Sequence, residues 1–437
     1  MLKSYSGRTF SQICQQSFWQ HRHSEGKSVH FRQNIVSKTV IILNSSYICF
    51  FYTKNHFLTL RPWRSWRLGE NSSFTYNKKT MQLIPVTHES LKKGAEILKS
   101  GGLVAFPTET VYGLGADAFN PQAVAKIFEV KNRPYFDPLI IHIADIKTLE
   151  NTANLSQLNE EIRKKIFLLA ENLWPGPLSI ILPKNERIPG IVTAGLQTAA
   201  IRLPGNDTAR KLISLSTGAI AAPSANPFGF LSPTKAEHVL NGLGGKIDFI
   251  LDGGQTKIGI ESTVLDVTDG NFKILRPGGT AREAIENLIG PIQKTENKEK
   301  ESEKNEHGLA SPGMIKSHYA PKNALTIFDR EEILNHQNNA NRAGEFSSLY
   351  TARQKAAFLF FDGAARDAWL QTEKTLKEAV IKVLSEKGDL LEAASRLFET
   401  LHEIDSCGVT HIFAQLAPQS GLGEAINDRL RRAAAVK

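Results

Sequence analysis

Hydrophobic positions fall into a regular α/β pattern from residue 81 onward. Leu91, Ala95 and Leu98 share one face of a predicted helix, which Gly101 ends. Short apolar runs bounded by turn residues then follow, and each has the length of a buried strand. The predicted strands are 103–106, 139–143, 178–182, 199–203, 219–222, 249–251, 263–267 and 272–275.

Predicted helices are interleaved with these strands. Asn120 as N-cap and Pro121 at the first helical position begin a helix that extends to residue 130. Ser232 and Pro233 precede another predicted helix at 234–243. Strands alternating with helices indicate a twisted mixed sheet with helices packed on it. We expect this α/β domain to occupy residues 81–290.

A charged segment separates this domain from a second, smaller one. Residues 293–307 are almost wholly charged or polar and cannot bury enough apolar surface to fold, so 291–322 is predicted to be a linker. A smaller α/β domain is expected at 323–437. Its predicted strands are 325–328, 357–361 and 410–415, and its predicted helical segments are 372–404 and 424–435.

The first 80 residues show no sustained helical or strand period. A disordered extension, a transit peptide and sequence upstream of the functional start all fit their acid-poor, Arg- and Ser-bearing composition. Met81 is one of only three methionines and directly precedes the ordered pattern. We therefore favour Met81 as the functional beginning.

Charge is distributed unevenly along the chain. The net charge is +9, but 41 of the 53 basic residues and 42 of the 44 acidic residues lie beyond residue 80. The folded part is therefore nearly neutral, and stable direct binding of nucleic acid is not expected. The three cysteines, Cys14, Cys49 and Cys407, lie too far apart for a zinc ribbon and fit a reducing, cytoplasmic compartment. No apolar run approaches the ~18 residues of a membrane span.

Several cationic side chains could bind an anion. Lys131 and Arg133 lie where the second helix ends, and there they could either complement the helix dipole or enter an ordered loop as phosphate ligands. Arg202 and Arg276 lie near strand ends, where they could face solvent or a ligand. His142 ends an apolar run and fits a hydrogen-bonded core histidine better than a metal ligand.

Ser224 and Asn226 follow a buried strand within a proline-flanked turn. Their side chains could bond the local backbone or present a hydroxyl and an amide to a ligand. Gly113 and Gly115 are predicted to lie in a turn that lets a ligand approach the backbone, although they lack the third glycine of a dinucleotide motif.

Three segments together identify a resemblance. Residues 107–114 read PTETVYGL, Lys131, Arg133, Ser224 and Asn226 form a Lys-x-Arg…Ser-x-Asn tetrad, and 311–314 read SPGM before His318-Tyr319. Over roughly residues 81–437, this chain resembles the YrdC-type threonylcarbamoyl-AMP synthases, in the longer Sua-type form. The resemblance implies a YrdC-like sheet around a concave cavity and a Rossmann-like C-terminal domain.

The implied activity is that of a nucleotidyltransferase. ATP, bicarbonate and L-threonine would give threonylcarbamoyl-AMP and pyrophosphate, and partner proteins would transfer the threonylcarbamoyl group to the adenosine beside a tRNA anticodon. A neutral threonine amine would capture CO2 or bicarbonate, and the carbamate oxygen would attack the α-phosphorus without a protein nucleophile. Magnesium would arrive with ATP rather than in a protein cage.

The resemblance also implies roles for individual residues. The tetrad Lys131, Arg133, Ser224 and Asn226 would be catalytic, and Arg202 would hold the threonine carboxylate. The expected threonine contacts are Thr110, His142, Arg202, Ala222 and Ser262. The expected ATP contacts are Lys131, Arg133, Asp137, Thr198, Ser224, Asn226, Ser232, Arg276, His318 and Tyr319.

Two positions depart from the family pattern. Asn132 stands where glycine is common, and Asp137 stands where Asn or Lys is frequent, so an acid there either points away from phosphate or weakens ATP binding. An RNA-binding module is the first alternative, disfavoured by the neutral charge of 81–437. A carbamoyltransferase of hydrogenase maturation is the second, disfavoured by the scattered cysteines. A purely structural role is the third.

Overall fold

The structure is a computed structural model that describes residues 41–42, 48–49, 82–293, 319–329, 355–372 and 379–435. Strands β1 (Ile41–Ile42) and β2 (Ile48–Cys49) pair antiparallel within a unit formed by residues 1–77. Residues 78–437 form a separate unit, which contains all the predicted site residues. The expectations for most of residues 1–80, for Met81, for the SPGM segment and for His318 fall outside the described residues.

The larger part of this second unit alternates strands and helices. Its helices are α1 (His88–Lys99), α2 (Pro121–Lys131), α3 (Glu160–Leu173), α4 (Asp207–Leu215), α5 (Ala236–Leu243) and α6 (Arg282–Ile289). Its strands are β3 (Leu83–Pro85), β4 (Val104–Phe106), β5 (Gly113–Asp117), β6 (Ile140–Ile143), β7 (Leu178–Pro183), β8 (Thr198–Arg202), β9 (Ala219–Ala221), β10 (Phe249–Asp252), β11 (Thr263–Asp266) and β12 (Lys273–Arg276).

Within the described residues these strands form one ten-stranded mixed sheet. Its order is β12-β11-β7-β8-β6-β9-β5-β4-β10-β3. Four pairs are parallel (β3 with β10, β10 with β4, β6 with β8, and β7 with β11), and the other five are antiparallel. The strand ends that carry Arg202 and His142 are directly paired in register. The sheet therefore places two predicted threonine contacts side by side.

Helices cover both faces of the sheet. Strand β4 shows this alternation, because Ala105 packs into one core and Val104 and Phe106 into another. The first core includes apolar residues of α2, α3, α5 and α6, and the second includes those of α1 and α4. A strand buried on both faces is apolar throughout, which explains why most strands appeared in the sequence as continuous apolar runs.

The two glycines of the 107–115 segment lie in a strand rather than in a ligand-binding turn. Gly113 begins β5, and a Cβ added to Gly115 would come within 2.9 Å of the Phe106 ring and 2.8 Å of Ile220. The Phe106 ring in turn meets His142 edge-on, with 6.2 Å between the ring centroids. The prediction of a turn at these glycines was wrong. Gly113 does line the candidate site, whereas Gly115 makes room for an aromatic ring behind it.

A second, smaller sheet is built from the C-terminal part of the chain. Strands β13 (Ala324–Phe328), β14 (Ala356–Asp362), β15 (Val380–Ser385) and β16 (His411–Gln415) pair in parallel in the order β13-β16-β14-β15. The accompanying helices are α7 (Gly363–Thr372), α8 (Leu390–Ser406) and α9 (Leu422–Ala434). This arrangement, beside a large mixed sheet with flanking helices, confirms the predicted fold class.

One stretch of the secondary-structure prediction was wrong. Residues 372–404 were expected to be helical, but β15 runs through Val380–Ser385 and pairs with β14. The sequence there, Val-Ile-Lys-Val-Leu, is rich in β-branched residues that suit a pleated strand. Gly388, with φ 74°, and the N-cap Asp389 separate the strand from α8. The boundaries of the predicted domains and linker stay predictions.

The hydrophobic core of the C-terminal part includes residues from the first domain. Val111, Leu231 and Ile260 pack in the same buried cluster as Leu397, Phe398 and other side chains of α8 and α9. Each of these three residues belongs to a different loop of the larger sheet. The C-terminal part therefore packs directly on the loops that surround the candidate site. No helix among the described residues is long and apolar enough to cross a membrane.

Candidate active site

A cavity lies on the large sheet, and the space within it and its open mouth is about 550 Å³. Strand ends of β6, β8, β11 and β12 and the loops at 107–113 and 222–224 form its walls. Its lining residues are Thr108, Thr110, Val111, Gly113, Arg133, Leu139, Ile140, His142, Arg202, Ala222, Pro223, Ser224, Glu261, Ser262, Arg276 and Tyr319. Three arginines against one carboxylate make the lining cationic.

Arg202 lies at the end of β8 and is almost fully buried. Its Nη2 donates to Glu109 Oε1 at 2.6 Å, its Nη1 to Thr110 Oγ1 at 3.0 Å, and its Nε to the Gly176 carbonyl at 3.2 Å. A guanidinium has five N–H donors, so two remain for a ligand. One is on each terminal nitrogen, and a carboxylate placed end-on to a guanidinium can accept from both.

Glu109 balances the charge of Arg202. Burial is the largest single influence and raises the pKa of this carboxyl, but the charge of Arg202 together with hydrogen bonds from the Gly205 backbone and from Arg202 holds the pKa of Glu109 below its ordinary value. Glu109 therefore stays ionised at neutral pH and fixes the guanidinium. Thr110 is held separately, because its amide donates to Thr108 Oγ1 at 3.1 Å. The 107–111 loop thus presents a hydroxyl and an oriented arginine together.

His142 is a neutral imidazole in the same wall. Burial first, and then the charge of Arg202, lowers its pKa to about 3. Its Nδ1 lies 3.3 Å from the Ile140 carbonyl, an arrangement that favours a proton on that nitrogen. A neutral histidine beside an arginine adds a polar contact without adding positive charge.

Ser262 and Arg276 form another part of the wall. Arg276 Nη2 donates to the Ser262 carbonyl at 2.9 Å and to Ser262 Oγ at 3.1 Å. Ser179, fully buried on β7, shares a hydrogen bond of 2.8 Å with the same hydroxyl. The register of β11 against β7 and β12 brings these three residues together. The Ser262 hydroxyl is therefore held in place from two sides.

Arg133 reaches the cavity from the loop after α2. Its Nε donates to the Asp137 carbonyl at 3.0 Å and its Nη2 to the Pro138 carbonyl at 2.8 Å. Asp137 Oδ1 lies 2.9 Å from Nη2, and Asp137 is not among the lining residues. The acid that departs from the family pattern therefore faces Arg133.

Lys131 is completely buried and does not line the cavity. Its Nζ donates to the Ser224 carbonyl at 2.6 Å and also to the Asn226 carbonyl. Burial first, and then the neighbouring Arg133, lowers its pKa well below the ordinary value. Lys131 thus fastens the 224–226 turn to the end of α2, and this contact leaves Ser224 on the cavity wall.

Two asparagines shape the backbone around the tetrad: Asn132 lies between Lys131 and Arg133, and Asn226 is a member of it. Asn132 is the C-cap of α2 in the left-handed region, with φ 52° and ψ 40°. Glycine favours this conformation and asparagine tolerates it, which accounts for the departure from glycine. Asn226 donates from Nδ2 to the Pro227 and Phe230 carbonyls, at 2.9 and 2.8 Å, so its amide shapes the turn.

Tyr319 and Glu261 close the cavity near the C-terminal part. Tyr319 has φ 63°, a strained conformation for a bulky residue, and the guanidinium of Arg429 lies 5.0 Å from the centre of its ring. Glu261 Oε2 accepts from Arg429 Nε at 2.8 Å, and Glu261 Oε1 accepts from Ser232 Oγ. A helix of the C-terminal part thus supports two wall residues from behind.

The structure brings together most of the residues expected from sequence. Nine of them line one cavity, and these are Thr110, Arg133, His142, Arg202, Ala222, Ser224, Ser262, Arg276 and Tyr319. Four support it from behind, namely Lys131, Asp137, Asn226 and Ser232. Thr198 begins β8, at the opposite end of the strand from Arg202, and does not line the cavity.

Sequence reasoning missed four polar residues of the site. Glu109, Ser179, Glu261 and Arg429 were given no role at the site. Glu109 lies within the PTET motif, and its carboxylate was the only feature of the sequence that could have indicated a role at the site. Arg429 is separated from Glu261 by 168 positions, and no pattern in the sequence connects the two.

Comparisons with known proteins identify the family. Residues 96–278 match the family described as "Telomere recombination" (Sua5_yciO_yrdC), and residues 280–435 match "Threonylcarbamoyl-AMP synthase, C-terminal domain". The threonylcarbamoyl-AMP synthase of Pyrococcus abyssi is 40% identical over 349 residues, which covers 78% of this chain and 93% of the relative. The Bacillus subtilis protein of the same name is 41% identical over 347 residues, or 79% and 92%.

A solved structure is also similar. The crystal structure of P. abyssi Sua5 complexed with L-threonine has a TM-score of 0.69 and 37% identity, and the match covers 81% of this chain and 98% of that one. The resemblance predicted from the sequence motifs is therefore confirmed. This chain belongs to the threonylcarbamoyl-AMP synthase family, in the form that carries the C-terminal domain.

Proposed function

We propose that this protein is an L-threonylcarbamoyladenylate synthase, which forms threonylcarbamoyl-AMP and pyrophosphate from ATP, bicarbonate and L-threonine. The names of the relatives confirm the activity predicted from the sequence. The observation that carries the residue-level proposal is the convergence of Arg133, Arg202 and Arg276 on one cavity. Three anionic reactants must share a single site, and three fixed guanidinium groups favour their joint binding.

Threonine is proposed to bind at the Arg202 end of the cavity. Its carboxylate takes the two N–H donors that Glu109, Thr110 and Gly176 leave available, a charge-assisted contact worth roughly 1.5–3 kcal/mol. Thr110, His142 and Ser262 supply polar contacts to the rest of the amino acid. The neutral state of His142 suits this role, because an additional positive charge would repel a threonine ammonium.

ATP is proposed to bind at the end that Arg133, Arg276 and Ser224 line. Arg133 and Arg276 hold the phosphate oxygens, and Lys131 and Asn226 shape the 224–226 turn from behind. The bridge between Gly113 and Ser224 fixes this turn to the sheet. The chemistry then proceeds by positioning: the carbamate oxygen attacks the α-phosphorus, the bond to the β-phosphate oxygen breaks, and pyrophosphate leaves with that electron pair.

Magnesium is proposed to enter with the nucleotide. Among the described residues, no group of three or more His, Cys, Asp or Glu side chains could hold a metal ion. The cavity instead offers arginines, which suit phosphate oxygens. Mg2+ bound to those oxygens would neutralise charge on the triphosphate. Loss of activity on adding EDTA, and recovery with excess Mg2+, is the expected result.

The product is proposed to pass to partner proteins that transfer the threonylcarbamoyl group to tRNA in the cytoplasm. A mixed anhydride with AMP is reactive towards water, so a second catalyst must consume it soon after release. The chain beyond residue 80 is nearly neutral, which gives no basis for strong binding to tRNA by this protein itself.

The decisive experiment is pyrophosphate release by the purified full chain with each reactant omitted in turn. Pyrophosphate release that requires ATP, bicarbonate and L-threonine together supports the proposal. Release without threonine would indicate a simple ATP pyrophosphatase. No release under any combination, with the fold intact, would overturn the proposed function.

A further inference from the structure

Arg429 is a fully buried arginine of the C-terminal part that reaches the wall of the cavity. It lies on α9 and is 1% exposed, and no described side chain of larger volume is so fully buried. Besides Glu261, it contacts the Pro277 carbonyl at 2.9 Å and Asp428 Oδ2 at 2.7 Å through Nη1. A side chain with this many partners is fixed in one orientation.

Glu261 is the carboxylate that Arg429 balances, and it faces anions in the proposed reaction. Burial raises the pKa of Glu261, but the charges of Arg429 and then Arg276, together with hydrogen bonds from Ser232 and Arg429, keep the pKa below its ordinary value. Glu261 is therefore ionised while it lines the cavity. Without a cation behind it, this carboxylate would repel phosphate at the site that must bind it.

The position of Glu261 also sets the position of its neighbours. Ser262 follows it directly, and both the carbonyl and the hydroxyl of Ser262 accept from Arg276. A shift of residue 261 would therefore move a cavity hydroxyl and an anion-binding guanidinium together. Arg429 is thus connected to Arg276 through one side chain and one peptide unit.

Other contacts hold the same loop on the C-terminal part. A Cβ added to Gly259 would lie 2.5 Å from the Ser395 carbonyl and 2.6 Å from that of Ala394, so the loop runs against the backbone of α8. Ile260 is fully buried in the C-terminal core. If the charge of Arg429 is removed, the loop should therefore stay docked on the C-terminal part. Any change in ATP binding would then reflect the unbalanced charge of Glu261.

We infer that Arg429 is a positioning residue of the synthase: it neutralises Glu261 and fixes Tyr319, so that the cavity accepts the triphosphate. The C-terminal part then acts in catalysis through a defined ion pair rather than only as a cover. This inference rests on the proposed function, and it assigns Arg429 no contact with a reactant.

The test compares the full-length variants Arg429→Met and Arg431→Met in the pyrophosphate assay. Arg431 lies on the exposed side of the same helix, where its Nη2 is 3.4 Å from Gln419 Oε1. We expect Arg429→Met to raise the KM for ATP about tenfold or more, with a smaller effect on the KM for threonine. Arg431→Met should behave as the unsubstituted protein.

The discriminating measurement is rescue by a second substitution. Glu261→Gln keeps the acceptor for Ser232 and removes the charge, so the double variant Glu261→Gln/Arg429→Met should recover to within about threefold of the normal KM for ATP. A double variant as poor as Arg429→Met would show that packing, not charge, is what matters, and would overturn the inference. So would a normal KM in Arg429→Met.

A second pair of variants covers the case in which Arg429→Met does not fold. Arg429→Lys keeps the charge and Arg429→Gln keeps only a polar group. We expect the KM for ATP of the Lys variant to be at least about fivefold lower than that of the Gln variant. Equal values would overturn the inference. Activity of the unsubstituted protein in the same assay separates this result from failure of the proposed function.

Discussion

Arg202 and Glu109 form a buried ion pair, 2.6 Å between Nη2 and Oε1, in the wall where we place the threonine carboxylate. The pair holds the guanidinium in one orientation before any substrate arrives. When threonine binds, Arg202 would therefore contact two carboxylates at once, that of Glu109 and that of the substrate. Pre-orientation of this kind reduces the entropy that binding must overcome.

Glu109→Gln should lower the stability of the protein and should increase the stabilisation that bound threonine provides. The substitution leaves Arg202 buried without a counter-charge, which we expect to reduce the free energy of unfolding by about 1–3 kcal/mol, because an amide still accepts its hydrogen bond. The threonine carboxylate then supplies the missing charge. Urea unfolding with and without saturating L-threonine measures both effects.

The control for this prediction is Glu160→Gln, which removes an exposed partner of Lys164 and should change stability by less than about 0.5 kcal/mol. Threonine should stabilise Glu109→Gln more than the unsubstituted protein. Equal stabilisation of both would contradict the placement of the threonine carboxylate beside Arg202.

Lys131 and Arg133 should differ in what they contribute. Lys131→Met removes two hydrogen bonds to backbone carbonyls and leaves those carbonyls buried, so it should lower the free energy of unfolding by about 2–4 kcal/mol as well as abolish activity. Arg133→Ala should abolish pyrophosphate release with a smaller loss of stability. Thermal unfolding and the pyrophosphate assay on both variants measure the difference. Full stability of Lys131→Met would show that the lysine does not hold the turn.

Two stacked histidines should make the contact between the two sheets sensitive to acid. His238 of α5 and His402 of α8 lie 3.9 Å apart between ring centroids. Burial first, and then His402, lowers the pKa of His238 to about 3, and burial lowers the pKa of His402 as well. The unfolded chain therefore binds more protons than the folded one between about pH 6.5 and pH 3, and stability falls as the pH decreases through that range.

His238→Phe tests this effect, because a phenyl ring keeps the stack and cannot be protonated. We expect the free energy of unfolding of the variant to rise relative to that of the unsubstituted protein as the pH is lowered from 7 to 5. Carboxylates titrate alike in both proteins and cancel in the comparison. A difference that does not change with pH would show that the pair does not couple to folding.

Gly115 should not tolerate a side chain, although its φ is not in the left-handed region. Gly115→Ala places a methyl group against the Phe106 ring and Ile220, and we expect a loss of about 1–3 kcal/mol from overpacking. Gly190→Ala is the control, since a Cβ there meets nothing within 4 Å. Equal stability of the two variants, measured by urea unfolding, would contradict the packing role.

Local patterns predicted much of the fold because most strands are buried on both faces. Runs such as 139–143 and 178–182 are apolar except for one polar residue each, His142 and Ser179, and have no competing helical period. Strand β5 was missed because its sequence, Gly-Leu-Gly-Ala-Asp, has low strand propensity, and only its packing against Phe106 explains it. Strand β15 was missed because helical sequence follows it closely.

The site residues likewise fall into those that local sequence could predict and those that it could not. Residues within a motif, such as Lys131 and Arg133, could be selected from their spacing and the family resemblance. The ion pair of Glu109 with Arg202 spans 93 positions, and nothing in either segment specifies the other. Such partners follow from strand order, which local sequence does not determine. The supporting role of Lys131 likewise appears only once the 224–226 turn is seen beside it.

The shared core of Val111, Leu231 and Ile260 has a consequence for any shortened version of this protein. Cutting the chain near residue 290 would leave these three apolar side chains facing water on the very loops that shape the reaction chamber. A catalytic fragment on its own would therefore need polar replacements at 111, 231 and 260 to avoid aggregation and to preserve the shape of its reaction chamber.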